Sequence, residues 1–296
     1  MAKKVFVAGE ALMDLIPVAS GGRVPMVGGG PANTAKALAR LGYQTFFIGG
    51  ISVDRYGAMI DAELSGSGVN LSLAHRGNLP TALAIATIDE NGLARYEFEL
   101  DDTTSFAFNE SWLPQSDPDV IHVGSVATML EPGASELLRW VSGRAAPIVF
   151  DPNVRPSIQG DRNIYRAAVE RWIDLVSIVK LSEDDLHWLY GGESVISTWL
   201  ARGVSIVIVT RAEKGLTAIC DGFSVEIPAR NVEVIDTVGA GDTIGAIVVE
   251  GLLEYGLEGL GGENLVKVLE RAAQAAAITC SRAGANPPWK AELDQF

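Results

Sequence analysis

The sequence predicts an α/β fold, a mostly parallel sheet with helices on both faces and a small second β-sheet attached. Three observations predict it. From Asp119 onward, short strand-like runs alternate with helical patterns, as successive βα units do. Val5–Gly9 and Ser205–Thr210 are continuously apolar, the pattern of strands buried on both faces of a parallel sheet. Arg95–Leu100 instead alternates Tyr96, Phe98 and Leu100 with Glu97 and Glu99, the pattern of a half-exposed antiparallel strand.

Composition narrows the function classes. The chain has 296 residues, 48% hydrophobic and 20% charged, which suits one large globular domain. A formal charge of −14, with no Lys/Arg-rich run, speaks against a nucleic-acid surface. It leaves open an anion site made of backbone amides. Cys220 and Cys280 lie far apart among apolar neighbours and are expected to be buried free thiols. His75, His122 and His187 show no ligand spacing, so no transition metal is expected. Glu10 and Asp14 interrupt the first apolar run too early for a signal peptide, and no uncharged stretch reaches membrane-spanning length. A cytoplasmic protein is expected.

Taken in order, Val5–Gly9 is the first strand. Leu12–Val18 is a second, with Asp14 between Met13 and Leu15. That carboxylate either faces water on an edge strand or points at a ligand. Gly21–Gly22 turns the chain into a third strand, Arg23–Val27. Gly28-Gly29-Gly30-Pro31-Ala32-Asn33 then opens a helix running to about Leu41, with Pro31 suited to its first turn. Asn33 either caps that helix or touches a polar ligand. Gln44–Gly49 is a strand, Tyr56–Leu64 a helix, and Thr81–Ile88 a strand joined to Arg95–Leu100 through a turn at Asp89–Gly92. The hairpins within 12–27 and 69–100 would form a small separate sheet on a single domain spanning 1–296, serving as a lid over a site or as a dimer surface, since its apolar face needs covering.

In the second half, strands are expected at 120–123, 148–150, 177–181, 205–210, 215–220 and 223–227. Helices are expected at 132–141, 162–173, 182–190, 195–201, 243–255 and 265–281, that at 182–190 capped by Ser182. The segments Asp151–Arg155, Lys180–Asp185, Thr210–Gly215 and Asp236–Asp242 follow strand-like runs. In a parallel sheet they would converge at the carboxyl edge, where ligands bind.

Val232–Tyr255 is the stretch with the most chemistry. A β-branched run gives way to Gly239-Ala240-Gly241-Asp242 and then to an apolar helix. Such a turn presents unpaired amides beside the positive end of a helix dipole, a site for phosphate or developing negative charge. Alone, Asp242 reads more simply as a helix-start carboxylate. No Gly-x-x-x-x-Gly-Lys-Ser/Thr or Gly-x-Ser-x-Gly string occurs, so neither a Walker-type site nor a serine-hydrolase elbow is expected.

Gly29-Gly30-Pro31-Ala32-Asn33, followed by Gly42, resembles the N-terminal signature of the PfkB/ribokinase family of sugar kinases. Asp236-Thr237-Val238-Gly239-Ala240-Gly241-Asp242 resembles its C-terminal signature. The pair occurs in family order, and the likeness runs from Val5 to the Arg282–Ala285 loop. It implies a ribokinase-like three-layer α/β/α sandwich with a β-sheet lid, and ATP-dependent phosphorylation of a sugar hydroxyl with Mg²⁺ accompanying ATP. Asp242 would be the catalytic base, and Gly239, Ala240 and Gly241 its anion hole. Asp14, Gly29, Gly30, Asn33 and Arg155 would meet the sugar. Thr210, Ala212, Gly215, Gly241, Gly284 and Asn286 would flank the nucleotide. Asp236, with carbonyls of Ser281–Gly284, resembles a monovalent-cation (K⁺) site. A homodimer through the lid is expected from the exposed hairpins.

The strings Gly28–Asn33, Asp151–Pro156 and Gly284–Pro288 look most like those of bacterial fructokinases. Ketodeoxygluconate kinases share an arginine at the Arg155 position, so they and other sugar or nucleoside kinases stand as alternatives, as does a non-catalytic sugar-binding member. The chain departs from the family at Ser182-Glu183-Asp184-Asp185, where Asn-x-x-Glu is usual. It departs again at Arg211 and Ala212, and at Ile244 and Ile247. A carboxylate at a helix start is expected to have a lowered pKa, which would weaken Asp242 as a base.

Overall fold

The continuous apolar runs become inner strands because only a doubly covered sheet removes both of their faces from water. The computed structural model describes residues 3–18, 21–88 and 94–296; the turn expected at Asp89–Gly92 lies outside them. The first half contains β1 (Lys4–Ala8), β2 (Leu12–Pro17), β3 (Arg23–Gly28), α1 (Gly30–Arg40), β4 (Gln44–Ile48), β5 (Gly50–Ser52), α2 (Arg55–Gly66), β6 (His75–Gly77), β7 (Leu83–Ile88) and β8 (Ala94–Glu99). Then come β9 (Val120–Gly124), α3 (Gly133–Ser142), β10 (Ile148–Asp151), α4 (Arg162–Ile173), β11 (Ile178–Ser182), α5 (Glu183–Tyr190), α6 (Val195–Ala201) and β12 (Ile206–Thr210). The chain closes with β13 (Leu216–Cys220), β14 (Phe223–Ile227), α7 (Ala240–Gly259), α8 (Gly262–Cys280) and α9 (Lys290–Leu293).

The main sheet has the order β14-β13-β12-β11-β10-β9-β1-β4. Strands β4 through β12 run parallel, and β13 and β14 add an antiparallel hairpin at one edge. Alternate residues feed two cores. Val7, Val149, Ile178 and Ile208 pack with α1, α2, α7 and α8 on one face. Phe6, Phe150, Val179 and Val207 pack with α3 to α6 on the other, where Trp140, Trp172 and Trp199 are the largest buried side chains. The result is the three-layer α/β/α sandwich that the sequence predicts. Helix α7 is buried from Asp242 to Leu253, and Gly251 lets α8 approach closely: a Cβ there would fall 2.6 Å from Val268 Cγ2.

A second sheet, ordered β3-β2-β7-β8, stands apart from the first. Its register places Asp14 opposite Met26 and beside Ala84, with Phe98 across from Ala84. The segment His75–Gly77 joins Gly50–Ser52 in a separate two-stranded sheet. Among the described residues, no helix is long and apolar enough to cross a membrane.

Three expectations need correction. The run Val232–Ile235 forms no strand: Val234 and Ile235 are 61% and 63% exposed, and Ile235 N bonds only the Cys280 carbonyl end of α8. Helix α7 begins at Ala240 rather than Thr243, with Gly239 in the left-handed region (φ +80°) as its cap. Cys220 and Cys280 are free, but half-buried rather than buried.

Asp54 connects the layers. Its Oδ1 accepts the Tyr56 and Gly57 amides at 2.9 and 2.7 Å, capping α2, and also the Thr81 hydroxyl at 2.7 Å. Its Oδ2 accepts the Thr81 amide at 2.8 Å, just ahead of lid strand β7. Asp54→Ala is expected to lower unfolding stability by about 1–2 kcal/mol in urea titrations, and Asp54→Asn by less, because asparagine still caps a helix well.

Candidate active site

The chain leaves β1 for β4 on one side and returns through β9 on the other, so the helices diverge at the β1/β9 carboxyl ends. Ligands of open α/β sheets bind in the crevice formed at such a switch point. Here the amino ends of α1 and α7 meet over that crevice.

Asp242 lies at their junction, 8% exposed. It stands third in α7, not at the cap, so its side chain turns inward. Asn33 Nδ2 donates to its Oδ2 at 2.9 Å, joining residues 209 positions apart, and the Thr34 hydroxyl reaches its carbonyl at 3.4 Å. In front of the carboxylate stands Gly30, where a Cβ would come within 2.7 Å of Asn153 Nδ2 and 3.2 Å of Asp242 Oδ1. Any side chain at that position would fill the space beside the carboxylate. Burial pushes the Asp242 pKa up to about 6; Lys180 pulls the other way, the Asp151 charge adds to the rise, and Asn33 and Arg155 oppose it. The expected lowering is therefore reversed, because desolvation of a fully enclosed carboxylate exceeds the effect of a helix terminus.

Asp14 approaches from the lid. A Cβ on Gly28 would lie 2.1 Å from its Oδ2, so glycine is required on the neighbouring strand. Burial raises the Asp14 pKa to about 6 as well, against the pull of Arg155. Arg155 also acts on Asp242 and on Glu10, which places its positive charge among three carboxyl groups. Its Nη1 donates to the carbonyls of Asn153 and Val154 at 3.2 and 3.0 Å. Gly29 caps α1 at φ +103°, where a Cβ would meet the Glu10 carbonyl at 2.6 Å.

A cleft of about 800 Å³ opens on the other side of the Gly239–Gly241 turn. Thr210, Ala212, Gly215 and Gly241 line it, with Ala273 and Ala277 of α8 forming an apolar wall. Gly284 and Asn286 are not in its lining. Asn286 Oδ1 accepts from Arg40 Nη1 at 2.6 Å, Arg40 also binds the Pro287 carbonyl, and the guanidinium stacks on Trp289. The Gly284 amide donates to Asp236 Oδ2 at 2.9 Å, and Asp236 Oδ1 accepts the Val238 amide at 3.0 Å. Asp236 thereby ties the two loops together. Arg211 is spent on the rim, paired with Glu183 at 2.5 Å and Glu193 at 2.6 Å. Asp185 forms a reciprocal capping box with Ser182 and accepts the Val154 amide at 3.2 Å.

Five residues near the crevice were not given individual roles from the sequence, although the segments 151–155 and 180–185 were expected at the carboxyl edge. Glu10 is 1% exposed and accepts the Ala127 amide at 3.1 Å. Asn153 borders Gly30, and Asp151 pairs with Lys180 beneath α7. Tyr96 of the lid feels both Asp14 and Asp236, after burial the main influences raising its pKa, so it spans the two sides of the site. The position of 151–155 and 180–185 just after strands was the signal for Asp151, Asn153 and Lys180, reinforced at Lys180 by a charge within an apolar run.

Comparison with known proteins shows the family. The profile of the pfkB family of carbohydrate kinases matches residues 2–292. A fructokinase of Rhizobium leguminosarum bv. trifolii is 32% identical over 259 residues, covering 84% of this chain and 79% of the relative. Among solved structures, a fructokinase from Xylella fastidiosa with bound ATP superposes with a TM-score of 0.89 at 24% identity, covering 100% of this chain and 99% of that one. A fructokinase from Vibrio cholerae O395 with fructose, ADP and calcium ion bound gives 0.87 at 24%, with the same coverage. At these identities the structural likeness is one of fold. The chain belongs to the pfkB family of carbohydrate kinases, phosphotransferases that act on a hydroxyl group.

Proposed function

We propose that the chain is an ATP-dependent fructokinase that moves the γ-phosphoryl group of ATP to the 6-hydroxyl of D-fructose. The buried Asn33–Asp242 contact carries the reading, because it sets a carboxylate of raised pKa beside Gly30 and next to the turn that borders the cleft of about 800 Å³. The Rhizobium relative and the ATP- and fructose-bound structures of the other fructokinases support the choice of substrates.

In the proposed reaction the sugar oxygen forms a bond to the γ-phosphorus while the bridging bond to ADP breaks. Asp242 takes the hydroxyl proton. Positioning and charge stabilisation do most of the work in such transfers. The Gly239 and Gly241 amides have no protein acceptor among the described residues, and the Ala240 amide makes only a 3.3 Å turn bond to the Thr237 carbonyl. All three suit an oxyanion that develops on the phosphoryl group. A divalent ion, Mg²⁺ in this proposal, would neutralise phosphate charge. Among the described residues no group of three acidic, His or Cys side chains is arranged to hold one, so the nucleotide would carry most of its coordination, with Asp184 at the cleft edge.

The charge around the sugar space favours a neutral substrate. Asp14, Asp242 and Glu10 already share Arg155, and part of its guanidinium is bound to backbone. A coupled ADP-release assay is expected to show fructose turning over well ahead of 2-keto-3-deoxygluconate, ribose and adenosine. Preference for the acid sugar would transfer the reading to that kinase class. Sugar binding by calorimetry without turnover would indicate a non-catalytic member. Running the same assay in potassium and in sodium salts tests the proposal that Asp236 and the Ser281–Gly284 carbonyls hold a monovalent cation; equal rates would remove it.

Asp242→Asn is expected to fold, to bind ATP and fructose, and to turn over roughly a hundred- to ten-thousand-fold more slowly. In the native enzyme kcat/KM is expected to be full above neutral pH and to fall as pH drops through about 6, where Asp242 and Asp14 take up protons. The sign for stability is the opposite. The folded state binds the Asp242 proton more tightly than the unfolded chain, so ionisation costs stability as pH rises from about 4 to 6 and the full cost stands above that range. Asp242→Asn is therefore expected to be no less stable than the native protein at pH 8, and a large loss there would contradict this account.

We also propose that the chain dimerises through its lid. The lid face that carries Asp14 exposes Val24, Met26 and Tyr96 by 45%, 38% and 44%. Sedimentation equilibrium is expected to give twice the chain mass, and a monomer at every concentration would overturn the proposal.

A further inference from the structure

Three ionisable side chains lie enclosed in the sheet beneath the first two turns of α7, and the transfer reaction described above uses none of them. His122, Asp151 and Lys180 are 1%, 3% and 5% exposed and come from the adjacent strands β9, β10 and β11. Lys180 Nζ donates to Asp151 Oδ2 at 2.6 Å. The same ammonium lies 3.1 Å from the point a Cβ on Gly241 would occupy, so it rests against the backbone of the anion-binding turn. His122 Nε2 stands 3.4 Å from the equivalent point on Gly245, one turn further along.

Stability does not explain the pair. Its strand neighbours Ile178 and Ile208 are fully buried apolar residues, and apolar replacement of an enclosed ion pair is often neutral or stabilising. The surroundings show what the lysine faces. Asp151 comes from β10, Asp242 from α7 and Asp185 from α5, and all three act on it. Arg155, from the loop after β10, acts on Asp242 from the sugar side. His122 adds no charge at neutral pH, because burial pushes its pKa down to about 4. Lys180 is thus the cation enclosed among three carboxylates, in contact with the turn that would bind phosphate.

We propose that Lys180 is a positioning residue for phosphoryl transfer: clamped by Asp151 against the Gly241 backbone, it supplies a fixed positive charge that keeps Asp242 ionised and ready to accept the sugar proton. The proposal rests on Asp242 being the base. Asp151 has two effects, orienting the ammonium and limiting how strongly its charge is felt at Asp242. Removal of the lysine and removal of its clamp therefore displace the Asp242 titration in opposite directions.

The test follows the Asp242 carboxyl directly by ¹³C NMR of aspartate-labelled protein, the signal being assigned by its loss in Asp242→Asn, alongside the pH profile of kcat/KM. Lys180→Met is expected to raise the Asp242 midpoint by about one unit, a tenfold change in proton affinity, and to move the acid limb of kcat/KM with it. Lys180→Arg is expected to restore much of the native midpoint, and Asp151→Asn to lower it. The double variant Lys180→Met/Asp151→Asn leaves no unpaired charge in the sheet and keeps the test available should the single variants fail to fold. It is expected to show a smaller upward displacement. A midpoint that stays in place in Lys180→Met or in the double variant, whatever happens to stability, would overturn the proposal, and so would displacements of one sign in both single variants. A native protein without sugar-kinase turnover would sink the fructokinase reading instead, while the carboxyl titration would still decide this one.

Discussion

The structure depends on placing a carboxylate where two helix amino ends meet, out of water, and satisfying it there. Asp242 and Asn33 make that contact at 2.9 Å, and the chain around them conforms to it. Helix α1 can come that close because its buried face is Ala32, Ala35 and Leu38. Glycine at 29, 30, 239 and 241 reflects close approaches around this contact, to the Glu10 carbonyl, Asn153, Ala285 and Lys180 in turn, since a Cβ at each would fall 2.6 to 3.1 Å from a neighbouring heavy atom. These glycines keep backbone, carboxylate and lysine within one small volume, so conformational freedom is only part of their use.

The same volume explains the electrostatics. Glu10, Asp14 and Asp242 all have raised proton affinity, with burial as the leading cause in each case. The cations nearby are Arg155, shared among them, and Lys180, tied to Asp151. A site with this balance is poorly suited to an acidic sugar and well suited to a neutral polyol whose hydroxyls can donate to carboxylates. The lid completes the enclosure: Met26 Cε reaches to 2.6 Å from the point a Cβ on Gly284 would occupy, so the sheet carrying Asp14 rests on the loop that Asp236 and Arg40 hold in place.

Much of this was legible in the sequence because it is written in local pattern. Continuous apolar runs marked the inner strands, Ser182 marked a helix start, and the glycine strings marked the places where backbones converge. The residues brought together at the crevice, Asp14, Gly30, Asn33 and Asp242, were all readable as candidates. Pairings set only by tertiary packing were not readable. Arg40 meets Asn286 across 246 positions, which removes Asn286 from the nucleotide cleft, and no spacing could indicate it. Val234 and Ile235 have strand-forming side chains but find no strand to pair with, so propensity lost to context there. Lys180 was visible as a charge within an apolar run, although the run by itself does not say what balances it.

The reversed sign at Asp242 shows how one turn performs two tasks that seem opposed. A helix amino end favours an anion beside it by about 0.3–1 kcal/mol when exposed, falling off within a turn. Enclosing a carboxylate raises its pKa by as much as several units. The two effects act here on different groups because α7 starts at Ala240 and Asp242 is its third residue. The Ala240 and Gly241 backbone faces the cleft, where amides can receive a phosphoryl oxygen, whereas the Asp242 side chain points the opposite way, toward Gly30 and Asn33. In the proposed reaction the dipole would thereby serve the phosphate and the desolvation the base. A carboxylate at the cap position would have served the dipole and lost the proton affinity that accepting a sugar proton requires.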